Sequence, residues 1–229
     1  MPIQQKILTF RSLGLSLIAG VVLTGLAFAA GSEKETGSDP GEVSMEGALL
    51  EAVRPVAGPV AGELMKTLSG RLMEAMGTGG PKAAITVCRD EAMVLSETVR
   101  RESGIPHLKR VGVRVRNPEN APDPHEAAAL AHFTREGVEE GQYPKEWVQR
   151  VTLADGEEQL RYYRAIPLQA RCVGCHGPKE QIPGVIREVL AEAYPEDAAT
   201  GFQPGQLRGL MVVGLDPEAI EATSRPAEP

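Results

Sequence analysis

The chain has 229 residues and carries 24 Lys and Arg against 31 Asp and Glu, a formal net charge of −7, which argues against nucleic acid as a partner. The length suits one domain of ordinary size with enough chain to bury a core around a cofactor, and the aromatic content is low at 4%. An acidic surface of this kind serves solubility or docking to a basic partner.

The N-terminus places Lys6 and Arg11 before an apolar run from Leu13 to Leu26, followed by the small-x-small triplet Ala27-Phe28-Ala29. Residues 1–29 read as a secretory signal peptide. The other reading is an uncleaved membrane anchor, which Gly14, Gly20 and Gly25 weaken. Cleavage leaves 22 basic against 31 acidic residues, a charge of −9. Residues 30–43 are rich in Gly, Ser, Glu, Asp and Pro and form an expected linker.

A single α+β domain is expected over residues 44–216. Helical spacing begins at Met45 and runs through Leu49, Leu50, Val53, Val60, Leu64, Leu68 and Leu72. Pro55 and Pro59 predict a kinked helix or two short ones, and Gly79-Gly80 ends the element. Pro81 opens a second helix to Arg101. On it, Ile85, Cys88, Ala92 and Leu95 fall at i, i+3, i+7 and i+10, one apolar stripe with Cys88 pointing inward. Val111, Val113 and Val115 alternate as a strand. Asp123, Pro124 and Glu126 predict N-cap, first and third positions of a helix ending near Gly137, with His125 and His132 as surface or boundary residues. Two strands, Trp147–Leu153 and Gln159–Ile166, flank the hairpin signal Asp155-Gly156. A short amphipathic helix over Ile182–Tyr194 and a largely buried strand over Arg208–Leu215 follow, and residues 217–229 read as a disordered tail.

Arg171-Cys172-Val173-Gly174-Cys175-His176-Gly177-Pro178 carries the chemistry, because C-x-x-C-H is the attachment signature of a c-type haem. Cys172 and Cys175 are spaced for thioether bonds to two vinyl groups, and His176 can offer an imidazole nitrogen to iron. A dithiol redox pair needs no histidine there, and a zinc site would have to recruit a distant fourth ligand. The motif follows an antiparallel hairpin, which disfavours a helical bundle of the cytochrome c′ kind. Cys88 is then left alone in an oxidising compartment, where an unpaired thiol is unusual. It is either a small buried hydrophobe or bound to something. Ala84 and Ala92, one turn to either side, would let a flat macrocycle approach this helix. Met93 and His132 are the alternative ligands.

Several stretches together resemble a family of exported c-type haem proteins with a PAS-like α/β fold. They are Ala84-Ile85 with Cys88, Arg116-Asn117-Pro118 with Asn120 and Pro122-Asp123, and Arg164-Ala165-Ile166 before the haem motif. The last is Tyr194-Pro195-x-Asp197 to Gly201-Phe202 with Arg208-Gly209. The resemblance spans about residues 45 to 215. It implies one covalent haem c ligated by His176 and by the sulfur of Cys88. It also implies a low-potential one-electron carrier or redox sensor in the periplasm, acting with a separate redox or signalling protein. In the alternative reading Cys88 dissociates and the iron answers to gas or peroxide. No catalytic residues are read from the sequence. Arg116, Arg164 and Arg171 are candidate partners for the haem propionates.

Overall fold

A computed structural model of the chain describes residues 45–135 and 142–224. Helix α1 spans Met45–Thr86, interrupted at Gly80, whose φ of 66° and ψ of −159° are not helical. The break expected at Gly79-Gly80 is therefore present, while the one expected at Pro55 and Pro59 is not. Those prolines lie one turn apart on the solvent side. The carbonyls deprived of a donor there face water, so the helix continues through both. Its opposite stripe, Val53, Ala57, Ala61, Leu64 and Leu68, is buried.

The second predicted helix is continuous from Pro81 but widens its hydrogen-bond spacing midway from four residues to five: Val87–Glu91 is a π-helical turn, and α2 follows over Ala92–Glu102. Strand β1 is His107–Gly112, earlier than the Val111–Val115 alternation suggests. The chain leaves the sheet at Gly112 because the Arg114 carbonyl turns back to accept from Arg208 Nη1 at 2.9 Å. Helix α3, Pro124–Phe133, has the expected capping box: Asp123 Oδ1 accepts from the Glu126 amide and Glu126 Oε2 from the Asp123 amide. It ends four residues before Gly137, which lies outside the described residues.

Strands β2, Glu146–Thr152, and β3, Glu158–Pro167, form the hairpin, with Gly156 at φ 89° in its turn. One helical turn, α4 (Val173–His176), carries the motif; α5 is Gly184–Ala193 and β4 is Leu207–Leu215. The residues after Asp216 correct the expected tail: Pro217–Ser224 form α6, with Ile220 packed into the core. The expected signal peptide and linker, residues 1–43, lie outside the described residues. No described helix is long and apolar enough to cross a membrane.

The class is α+β, built on one PAS-like antiparallel sheet of order β1-β4-β3-β2, the first strand paired with the last. Alternate residues of β4 point to opposite sides. Met211, Val213 and Leu215 pack with Leu160, Tyr162 and the buried stripe of α1. Leu210 and Val212 pack with Tyr163 and, from α3, Ala129, Leu130 and Phe133. A buried ionic network ties α3 to the sheet: Glu126 receives His107 Nε2 at 3.1 Å, Lys109 Nζ at 3.1 Å and Arg161 Nη1 at 3.4 Å.

Candidate haem-binding site

The motif is placed by two loops. After a bulge between Ile166 and Pro167, the chain is held by paired backbone bonds, Leu168 N to Gln206 O and Gly205 N to Leu168 O, each 2.8 Å. It then winds through a 3-10 turn, Ala170–Cys172, into α4. Gly177 ends α4 where a side chain cannot fit: a Cβ there would lie 2.7 Å from the Val173 carbonyl oxygen. The segment after α5 closes over it, with Gly201 N donating to Gly177 O at 2.7 Å and Phe202 N to His176 O at 3.0 Å.

The same segment sets the histidine. His176 Nδ1 lies 2.8 Å from the Ala199 carbonyl oxygen, which can only accept, so Nδ1 carries the proton and Nε2 keeps its lone pair. Burial, then the Arg116 and Arg208 guanidiniums, push the imidazole down to about 3, leaving it neutral as a metal ligand must be. Asp197 fixes the loop through its Oδ1 on the Ala199 amide at 2.8 Å and its Oδ2 on Arg116 Nη2 at 2.9 Å. Arg116 also donates to the Cys175 carbonyl at 2.6 Å.

Cys88 sits in the π-helical turn, a rare geometry that is frequent at functional sites. It lines the same cavity of about 690 Å³ as Cys172, Cys175 and His176, and Ala84 and Ala92 leave that wall low beside it. The volume is that of a cofactor pocket. Burial pushes the Cys88 thiol up, with Arg110 and Arg116 pulling the other way. Burial also pushes up Cys175. That is opposite to the activation a reactive dithiol needs, and α4, at four residues, is too short to supply it. Among the described residues no group of three His, Cys, Asp or Glu side chains converges as a zinc site would require.

The alternative ligands are elsewhere. His132 stacks on Trp147 with ring centroids 4.2 Å apart, and neither it nor Met93 borders the cavity. His125 meets the Thr152 carbonyl at the surface, at 3.2 Å. The cavity walls carry Lys66, Arg110, Arg116, Arg164 and Arg171 and no acidic residue, in a chain of net negative charge. Two thiols, a neutral imidazole with a free Nε2, a third sulfur and a cationic lining fit an iron porphyrin dianion.

A model of the Tll0287-like family matches residues 41–215. The chain belongs to this family. The crystal structure of the cyanobacterial heme-protein Tll0287 aligns at 24% identity over 75% of this chain and 94% of that one, with a TM-score of 0.49. Comparison with curated proteins gives no match. In this Tll0287-like chain, sequence reasoning missed Arg110 and Met65, which also border the cavity, and met Tyr194 only within the family pattern. Arginine on a strand reads as surface charge, and nothing local marks Arg110 as inward.

Proposed function

We propose that this protein is an exported monohaem c-type cytochrome, a low-potential one-electron carrier or haem redox sensor. Cys172 and Cys175 hold the haem covalently, each adding its S–H across one vinyl double bond so that no atom is lost. His176 would offer Nε2 to the iron, and Cys88, from another wall of the cavity, its sulfur. The bound group would supply a one-electron couple, ferric to ferrous. Cys88 as a thiolate donates charge and favours the ferric state, keeping the potential low. Arg116 and Asp197 orient His176 through the Ala199 loop, and the apolar walls exclude water.

What supports the reading is the convergence of three cysteines and a histidine with a committed Nδ1 on one cavity. Export through residues 1–29 and a separate redox or signalling partner belong to the same proposal. So does the absence of a catalytic reaction. Protein matured in a host with c-type attachment machinery should be red and give the pyridine haemochrome of a thioether-bound haem; colourless folded protein overturns the reading. Cys88→Ala should abolish the low-spin ferric thiolate spectrum. The midpoint potential should rise on the order of a hundred millivolts, since axial ligands span about 0.8 V in haem proteins. An unchanged spectrum would remove Cys88 as ligand.

The π-helical turn favours a second reading, in which Cys88 lets go on reduction and opens the iron to a gas or peroxide. Carbon monoxide binding by the ferrous form of the wild type supports it; no binding at any potential removes it.

A further inference from the structure

Behind the main cavity lies a smaller compartment of about 200 Å³, sharing the walls Cys172 and His176 with it. Arg110, Arg116, Arg208 and Asn120 line it, and no acidic residue does. Arg110 Nε is shut off from solvent without a hydrogen-bond partner, and Arg116 Nε and Asn120 Oδ1 are in the same condition. Arg208 gives Nη1 to the Arg114 carbonyl at 2.9 Å, and the room for it comes from Gly112, where a Cβ would lie 2.8 Å from that same nitrogen. The one acid bonded to this group, Asp197, is paired to Arg116 at 2.9 Å. Three guanidiniums thus face one carboxylate in a buried space. Burial lowers both Arg110 and Arg208, the latter to about 10, so the site strains to lose charge unless an anion enters.

We infer that Arg110 and Arg208 bind the propionate carboxylates of the haem, which therefore point inward to this compartment and not outward to Arg164 and Arg171. The inference rests on the haem reading above. The planar guanidinium fork matches a carboxylate with two parallel N–H donors, and the Asn120 amide can turn its NH2 to the same group. Arg164 and Arg171, exposed at the cavity mouth, are screened by solvent and already satisfied by it. Haem thereby neutralises buried charge that the polypeptide leaves uncompensated.

Haem-loaded wild type, Arg110→Leu, Arg208→Leu and Arg164→Leu proteins are compared by resonance Raman spectroscopy and potentiometry. The propionate bending modes should shift in the Arg110 and Arg208 variants and stay in place in Arg164→Leu. The midpoint potential should fall in the first two, because a carboxylate without its cation stabilises ferric iron. Inorganic phosphate should leave the wild-type spectrum unchanged. Should the leucine variants not fold, Arg110→Lys and Arg208→Lys keep the charge but lose the fork. Both should shift the modes with little change in potential. Unmoved modes in the Arg110 and Arg208 variants, modes that move only in Arg164→Leu, or a saturable phosphate response of the wild type would each overturn the inference while the protein stays red. Colourless wild type would take down the haem reading with it.

Discussion

Gly209→Ala tests how the sheet carries the site. Gly209 pairs directly with Gly112 across the β1–β4 ladder. A methyl group on Gly209 would lie 3.1 Å from the Val111 carbonyl carbon, 3.2 Å from Gly112 Cα, and nearer still to the Val111 oxygen. All three atoms are backbone, so no side chain can swing aside; the two strands must part. Overpacking of this kind costs about 1–3 kcal/mol, and a backbone clash belongs at the upper end. For a domain of this size that lowers the melting temperature by roughly 6–12 °C. The displacement also moves Arg110 on β1 and Arg208, the neighbour of Gly209, so the haem-loaded protein should melt earlier and show an altered Soret band. Gly70→Ala is the control. Gly70 is exposed in the interior of α1 with nothing within 4 Å of its added Cβ, and alanine there should stabilise by about 0.5–1 kcal/mol. Calorimetric melting of both variants decides the matter. A Gly209→Ala protein melting within about 2 °C of wild type would refute the close approach.

Glu126→Ala removes the buried carboxylate that receives His107, Lys109 and Arg161, and urea unfolding should show a loss of about 1–3 kcal/mol, because the buried Arg161 keeps only Asp123, at 3.2 Å, as an ion-pair partner and part of its donor set is left unmet. The same carboxyl sets an acid limit. Burial pushes it up, but the hydrogen bonds from His107, the Asp123 amide and Lys109 outweigh this and hold it below its ordinary 4.5. A depressed carboxyl contributes stability that is present above the unfolded value and lost as pH falls through the folded one. Wild-type unfolding midpoints should therefore decline below about pH 4.5, more steeply than those of Glu126→Ala, and equal slopes would contradict this. Gly80→Ala forces a side chain into φ 66° at the break in α1 and should cost about 1–2 kcal/mol in the same assay; a neutral result would mean the break is not required.

Much of the scaffold is legible residue by residue. The Asp123/Glu126 box names its helix start, Asp155-Gly156 its hairpin, and Gly79-Gly80-Pro81 its break, because each signal is satisfied within a few residues. Misreadings arise where a distant partner intervenes. Pro55 and Pro59 survive in a helix because the other side of that helix packs on the sheet. Val113 and Val115 fall outside β1 because Arg208, far along the chain, captures the Arg114 carbonyl. Residues 217–224 become helical because Ile220 finds the core.

The haem-attachment triplet Cys172, Cys175 and His176 stands in the sequence itself, since its chemistry depends only on neighbouring residues. Cys88 could be singled out by its stripe and its isolation, but only folding brings it to the wall of the cavity those three residues line. Arg116 could be named from the sequence as a candidate propionate partner, but the burial of Arg110 and Arg208 beside it could not be read there. Whether a guanidinium meets water or a dry compartment is decided by the strands that pack around it, and sheet register depends on contacts spread along the whole chain.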